Sequence, residues 1–384
     1  MSNTLTNLIS DIHVSLDTVS RELVGMIPAV TLDPSVARAA VGQTVRSFVA
    51  PAVTSGNITP GATPPDDGDQ SVGNITLGIT KSKYVPIRWS GEEQLSVAAP
   101  GPGYLTIRQN QIAQSIRTLV NEIEADLTAL HSTFSRAYGT AGTTPFGTAG
   151  DYTDATKTNQ ILDDNGAPLF DRQLVMNSAA AANLVGKNGQ ANVQGTDSML
   201  RQGVLLDHGG MQLRKSGQIV TSTAGTAANA TTDNAGYAVG ATVITLASAG
   251  TGTIVAGDVL TFAGDSNKYV VESGDADVSN GGTITLAAPG LKVAMSAATK
   301  AITVVAAAAR NMAFSRSALV LATRLPAMPE EGDMADDTFI ITDPRSGLSF
   351  ELALYKQYKR VKYELGIAWG VKNAKVAHTA LLLG

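Results

Sequence analysis

The stretch NITPGATPPDDGDQSVGNITLGITKSKYVPIRWS, Asn57 to Ser90, decides how the chain is read. Its first half is proline, glycine, threonine and aspartate. Within it PPDDGDQ (Pro64 to Gln70) is a turn cluster, because proline fixes φ while Asp and Gly tolerate tight turns. Beyond the cluster Ile75, Leu77 and Ile79 alternate with other residues, and after Lys81–Ser82 so do Val85, Ile87 and Trp89. The pattern predicts a pair of extended arms forming a long loop or hairpin over Asn57–Ser90. At about 3.3 Å per residue, arms of roughly 15 residues reach about 50 Å. A two-stranded ribbon of that length is marginal by itself in water. It needs something to lie on.

On the N-terminal side, Leu5, Leu8, Ile9, Ile12, Leu16, Val19 and Leu23 fall at helical spacing, with Ser2, Asn3 or Thr4 available as caps. This amphipathic helix ends near Gly25. It packs either on its own core or, as an arm, on another chain. On the C-terminal side, after Pro100-Gly101-Pro102-Gly103, Ile112, Ile116, Leu119, Val120, Ile123, Leu127, Leu130 and Phe134 repeat every three or four residues. Glu122, Glu124 and Asp126 are read as lying mostly off that stripe. A helix over Tyr104–Ala137 would be about 50 Å long at 1.5 Å per residue. A sphere of this chain length has a radius of gyration of only about 21 Å. The expectation is a flat or elongated molecule.

Further along, Gly139–Gly150 (GTAGTTPFGTAG) is a glycine–threonine loop. From Thr153 to Leu213 short helices and strands mix, with a strand at Asp171–Met176 and a helix from Ser178, which caps it, to Val185. Thr221–Ala309 is rich in Ala, Thr, Gly and Val. Strand candidates recur there at Ala241–Leu246, Asp258–Phe262, Lys268–Val271, Thr283–Leu286 and Ala301–Val305. Glycine turns separate them, predicting a small all-β barrel or sandwich inserted into a host domain. Helix–strand mixing is expected to resume at Ala313–Thr323. Near the end Val361, Tyr363, Leu365, Ile367, Trp369 and Val371 alternate strictly, with Lys362, Glu364 and Lys372 on the other face.

Composition narrows the functional classes. The chain has 384 residues, enough for two or three packed units. Only 16% of residues are charged, against roughly 25% in ordinary soluble domains. Such a surface does little to keep copies apart and points to one used up by neighbours. The formal net charge of −5 argues against a broad phosphate-neutralising face. No run of about 18 apolar residues is present, which argues against a membrane-spanning helix. The start MSNTLTNLIS has neither a basic region nor an unbroken apolar core, so no secretory leader is expected. There is no cysteine, which removes disulfides, thiolate nucleophiles and Cys–zinc sites.

No catalytic constellation survives inspection. The four histidines, His13, His131, His208 and His378, are isolated, and no pair has metal-sharing spacing. No G-x-S-x-G elbow exists. The loop Gly139–Gly147 lacks the Gly-Lys-Ser/Thr that would reach a phosphate, and Asp163-Asp164-Asn165-Gly166 lacks the downstream Glu of a calcium loop. The run Tyr355–Tyr363 interleaves basic and aromatic residues. As one strand it has a solvated basic face and a packed face; the alternatives are contact with nucleic acid or with acidic residues of a neighbouring copy.

Seven stretches in order carry a family resemblance: RELVGMIPAVTLD (Arg21–Asp33), AVGQTVRSFVAP (Ala40–Pro51), ITPGATPPDDGDQSVG (Ile58–Gly73), KSKYVPIRWSGEEQ (Lys81–Gln94), LVNEIEADL (Leu119–Leu127), RAYGTAGTTPFGT (Arg136–Thr148) and DMADDTFIITDPRSGLSFELALYKQY (Asp333–Tyr358). The set resembles the major coat protein of P22-like tailed bacteriophages and is weakest over Thr221–Ala309. The resemblance implies an α+β fold of the HK97 coat-protein type. Residues 1–55 would be the N-terminal arm and 56–92 the extended loop. The spine helix and peripheral domain would take 93–148. The axial domain and remaining peripheral strands would share 149–219 and 310–384, with an inserted β domain at 220–309.

The function so implied is that of a structural subunit, without cofactor or enzymatic activity, assembling in many copies into an icosahedral head shell around double-stranded DNA. Its implied partners are its own copies in hexamers and pentamers, a scaffolding protein, a portal protein and, as a further option, a decoration protein. Packaged DNA would lie inside without sequence-specific binding, no membrane would be involved, and assembly would take place in the host bacterial cytoplasm. Asp66, Asp67 and Asp69 at the loop tip, with the basic residues Lys81, Lys83, Arg88, Lys356, Lys359 and Arg360, are the candidates for inter-subunit contact. The competing reading is a β-rich surface adhesin or glycan-binding virion protein working through Thr221–Ala309, although only Tyr237, Phe262 and Tyr269 could supply a sugar-stacking platform there.

Overall fold

The alternating run near the C-terminus forms the strand around which one half of the molecule is organised. A computed structural model describes residues 24–49, 57–58, 60–61, 73–98, 104–148, 150–187 and 207–384. The strands are β1 (Thr31–Ala39), β2 (Thr44–Val49), β3 (Gly73–Gly78), β4 (Lys81–Ser90), β5 (Arg136–Gly139), β6 (Arg172–Met176), β7 (Met211–Lys215), β8 (Val243–Leu246), β9 (Val259–Phe262), β10 (Lys268–Ser273), β11 (Gly282–Leu286), β12 (Ile302–Val304), β13 (Arg310–Ser315), β14 (Leu319–Pro326), β15 (Asp337–Thr342), β16 (Ser349–Gln357), β17 (Arg360–Asn373) and β18 (Thr379–Leu383). The helices are α1 (Gly91–Ala98), α2 (Tyr104–Ala129), α3 (Thr153–Asp164) and α4 (Ser178–Lys187). The amphipathic segment over residues 5–23 lies outside the described residues.

The first sheet is centred on β17. One edge of β17 carries β4 along ten paired positions, from Arg360↔Ser90 to Trp369↔Lys81. Its other edge pairs first with β16 and then with β14, with β15 and β1 outermost. Bulky and small residues alternate along β17. Leu365, Ile367 and Trp369 enter the main apolar core beneath α2, where they meet Ile112, Ile116, Leu119 and Leu127. Gly366, Ala368 and Gly370 fall on the opposite face.

The second sheet runs β12-β9-β10-β5-β18-β13-β6-β7, with β11 and β8 added beyond β10. The five short strands β8 to β12 surround an apolar core of their own, including Ile244, Leu246, Leu260, Phe262, Tyr269, Ile284 and Ile302. This unit is not free-standing: β10 pairs with β5, Lys268 opposite Ala137. Its two ends also meet, with Thr221 bridged to Ala309 and Arg310 Nε donating to Ser222 Oγ at 2.6 Å.

Four expectations are corrected. First, the arms of Asn57–Ser90 do not pair with each other. The Ile75–Leu77 arm is β3 and pairs with β2, Thr44↔Gly78 to Val49↔Gly73, while the Val85–Trp89 arm is β4 within the first sheet. The long edge of β17 offers β4 more ladder bonds and a buried face, which a free hairpin lacks. Second, the long helix stops at Ala129, 26 residues and about 39 Å from its start. Ser132 and Thr133 hydroxyls bond back to the carbonyls of Ala129 and Leu130, tightening a 3-10 turn over Leu130–Thr133. Phe134 then packs edge-on to Phe314, and the chain leaves as β5. Third, Asn177 rather than Ser178 caps α4, its side-chain oxygen accepting from Ala180 N at 2.9 Å. Fourth, Ala313–Thr323 holds no α-helix: β13 and β14 are joined there by a 3-10 turn at Arg316–Ala318.

Candidate assembly surfaces

The arrangement that matters most holds the start of the described chain. Glu124 on α2 is fully buried, 0% exposed. One carboxylate oxygen accepts from the backbone N–H of Gly25 (2.6 Å) and Met26 (2.7 Å) and from Ser216 Oγ (2.7 Å); the other accepts from Ile27 N–H (3.0 Å). The main chain entering β1 is thus tied to the long helix by three amide bonds. Burial pushes the carboxyl's pKa above the ordinary range, and the four donors hold it back. Reading Glu124 as lying off the stripe is corrected: it sits four residues after Val120 and three before Leu127, on the buried arc.

The strand β4 is locked to the same helix. Lys81 Nζ meets Asp126 and Lys83 Nζ meets Glu122, both at 2.6 Å. Both tryptophans donate to α2 as well, Trp89 Nε1 to Gln111 at 2.8 Å and Trp369 Nε1 to Asp126 at 2.8 Å. At the end of β4, Ser90 and Glu93 cap α1 reciprocally: Ser90 N–H donates to the Glu93 carboxylate (2.7 Å), and Glu93 N–H to Ser90 Oγ (3.2 Å). Those bonds hold the Glu93 carboxyl below its ordinary pKa.

The basic-aromatic run is a hairpin and not one strand. Gln357 pairs with Arg360, and Lys359 takes a φ of 53° in the turn between β16 and β17. Tyr358 is 87% exposed at the tip. Lys356, Lys359 and Arg360 line one side of a cleft of about 670 Å³ whose other wall is Trp89, Gly91, Glu92 and Gln94. Arg88 is exposed on β4, opposite Lys362. The structure thus brings Lys356, Lys359 and Arg360 together at one tip; Lys81 and Lys83 engage carboxylates of their own chain, and Lys356 also lies 3.9 Å from Asp336. Asp66, Asp67 and Asp69 lie outside the described residues.

The base of the β2–β3 ribbon rests on the small-residue face of the first sheet. Leu77 and Ile79 are buried against Ala39, Ala322 and Ala368, with Val45 and Val320 at the margin. A cleft of about 330 Å³ opens beside it, between Val45, Ile75 and Leu77 of the ribbon and Thr31, Val320 and Lys375 of the body. The upper face of the ribbon, with Thr44, Arg46, Asn74 and Thr76, is exposed.

Among the described residues no group of three or more His, Asp or Glu side chains is placed to hold a metal ion, and no helix is long and apolar enough to cross a membrane. The aromatics that an adhesin would need are engaged inside the β unit. Phe262 and Tyr269 are buried, and Tyr237 donates to Asp233 at 2.7 Å.

No family model matches the sequence, and no curated protein matches it either. The fold is one found in phage capsids. The capsid structure of cyanophage P-SCSP1u aligns over 95% of this chain and 89% of that chain, at 10% identity and a TM-score of 0.50. The capsid of a native GTA particle aligns over 95% and 91%, at 11% identity and a TM-score of 0.49. The capsid of Myoviridae phage XM1 aligns over 100% and 99%, at 11% identity and a TM-score of 0.43. At these identities the likeness is one of fold.

Proposed function

We propose that this chain is the structural shell subunit of a tailed-bacteriophage head, a protein that acts by self-assembly and performs no reaction. The observation that carries the reading is the fold likeness to the P-SCSP1u capsid over nearly the whole of both chains. The ribbon adds support, since its upper face, with Thr44, Arg46, Asn74 and Thr76, is exposed beside a body that already has its own core. In this reading α2 is the spine, β4 and the first sheet are peripheral, β6, β7, β13 and β18 belong to the axial part, and β8–β12 form the inserted unit of the P22-like members. The shell would be built of hexamers and pentamers with scaffolding and portal partners. Each copy would touch many neighbours, so modest contacts sum to a stable particle.

Within this proposal the acidic tip Asp66-Asp67-Gly68-Asp69 seeks the basic hairpin tip Lys356, Lys359 and Arg360, with Arg88, on an adjacent copy. Exposed pairs contribute only about 0–1 kcal/mol each, so they set register more than strength. Replacing Asp66, Asp67 and Asp69 together by Ala is expected to leave subunit folding intact by circular dichroism yet reduce the yield or heat resistance of shells. Normal assembly with unchanged heat resistance would remove the loop tip from the proposal. The function itself is tested by sedimentation and electron microscopy of the protein expressed with a scaffolding partner: closed particles are expected. A monomer that stays monomeric under every condition contradicts it.

A further inference from the structure

The path of the chain from β3 into β4 crosses over the face of β17 at a single point. A β-carbon built on Gly370 would overlap the Gly78 carbonyl oxygen, 2.9 Å from its carbon and 3.2 Å from Ile79 Cα. The crossing is pinned from both sides: Thr80 N–H donates to Trp369 O at 3.0 Å, and Ile79 N–H to Gln43 O at 2.8 Å. Two residues further along β17, Lys372 Nζ donates to Thr76 O at 2.8 Å, bracing the ribbon from below. Between these two points the ribbon presents Leu77 and Ile79 to Ala322 and Ala368, and beyond them lies the open cleft under Ile75 and Val45.

We infer that Gly370 and Lys372 are positioning residues: set against the backbone carbonyls of Gly78 and Thr76, they fix the angle at which the β2–β3 ribbon leaves the body, and through it the curvature of the assembled shell. This rests on the shell reading above. Trp369 cannot yield, because it is fully buried and bonded to Asp126. A methyl group at 370 therefore displaces the Gly78 carbonyl and tilts the ribbon, the displacement growing with distance from the crossing. In a closed shell of hexamers and pentamers each copy makes a closely related contact, so a shared error in angle accumulates around the circumference and changes where the shell closes.

The test uses the full chain with its scaffolding partner and reads particle diameters by electron microscopy, with far-UV circular dichroism as the check on folding. Wild type is expected to give a narrow diameter class. Gly370→Ala is expected to give a shifted or multiple class, or open sheets, from folded subunits. Lys372→Met, which touches no packed backbone, is expected to broaden the distribution, and Lys372→Arg, which keeps a donor for Thr76 O, to restore it. A purely structural role would lower thermal stability and leave diameters alone. Folded Lys372→Met and Gly370→Ala subunits that both close at the wild-type diameter overturn the inference. Absence of wild-type particles instead overturns the shell reading and is seen before any variant is compared.

Discussion

Glu124→Ala is expected to lower the stability of the subunit by about 3–5 kcal/mol, because it leaves three buried amide donors and one hydroxyl without an acceptor. Denaturant unfolding of unassembled protein, followed by circular dichroism, reads the loss directly. Glu124→Gln separates charge from shape. Its carbonyl can keep the donors Gly25, Met26 and Ser216, while its amide faces Ile27 N–H, donor against donor. A smaller loss of about 1–3 kcal/mol follows. The two carboxylate states give a further readout. Since burial raises the folded-state pKa of Glu124 above its unfolded value, the folded protein holds that proton more tightly. Its contribution to stability is then fully present below the unfolded pKa and is lost as pH rises through the folded one. The stability of wild type relative to Glu124→Gln should therefore increase as the pH is lowered from neutrality. The opposite slope would mean that the four donors outweigh burial.

Trp369→Ala carries an expected cost of about 3–5 kcal/mol, the range for truncating a fully buried aromatic. Trp369 is 0% exposed, sits where α2 meets the first sheet and donates to Asp126, which also receives Lys81. Trp369→Phe retains most of the packing and is expected to cost less, since Asp126 keeps its lysine. The same unfolding measurement distinguishes the two variants. Equal losses would place the energy in the hydrogen bond and not in the packing.

Much of this architecture is readable in the residues. The strict alternation of Val361 to Val371 predicts the strand that organises the first sheet, and the stripe from Ile112 to Leu127 predicts the helix above it. Glycine-punctuated strand candidates over Ala241–Val305 fall on β8 to β12. Partner choice was not readable. Whether Ile75 and Leu77 pair with Val85 and Ile87 or with Val45 depends on ladders closed by residues distant in sequence, and alternation is the same in either case. The helix end is not legible, because Leu130 and Phe134 continue the apolar spacing, while the back-bonding hydroxyls of Ser132 and Thr133 carry no hydropathy signal.

Two elements of the candidate surfaces had signals that composition concealed. The S-x-x-E pattern of Ser90 and Glu93 marks a helix start, and Glu124 stands at core spacing despite its charge. A buried carboxylate is tolerated only where donors surround it, and those donors come from residues about a hundred positions away. The small residues of β17 between its bulky ones, Gly366, Ala368 and Gly370, are likewise visible as a pattern. Their meaning depends on the chain that crosses above them.

The most direct measurement is a cryo-EM reconstruction of particles formed by the full chain. A closed shell in which the exposed ribbon face with Thr44, Arg46, Asn74 and Thr76 lies on an adjacent copy is the predicted result. A protein that forms no particles, or particles in which that ribbon touches only the subunit it belongs to, would contradict it.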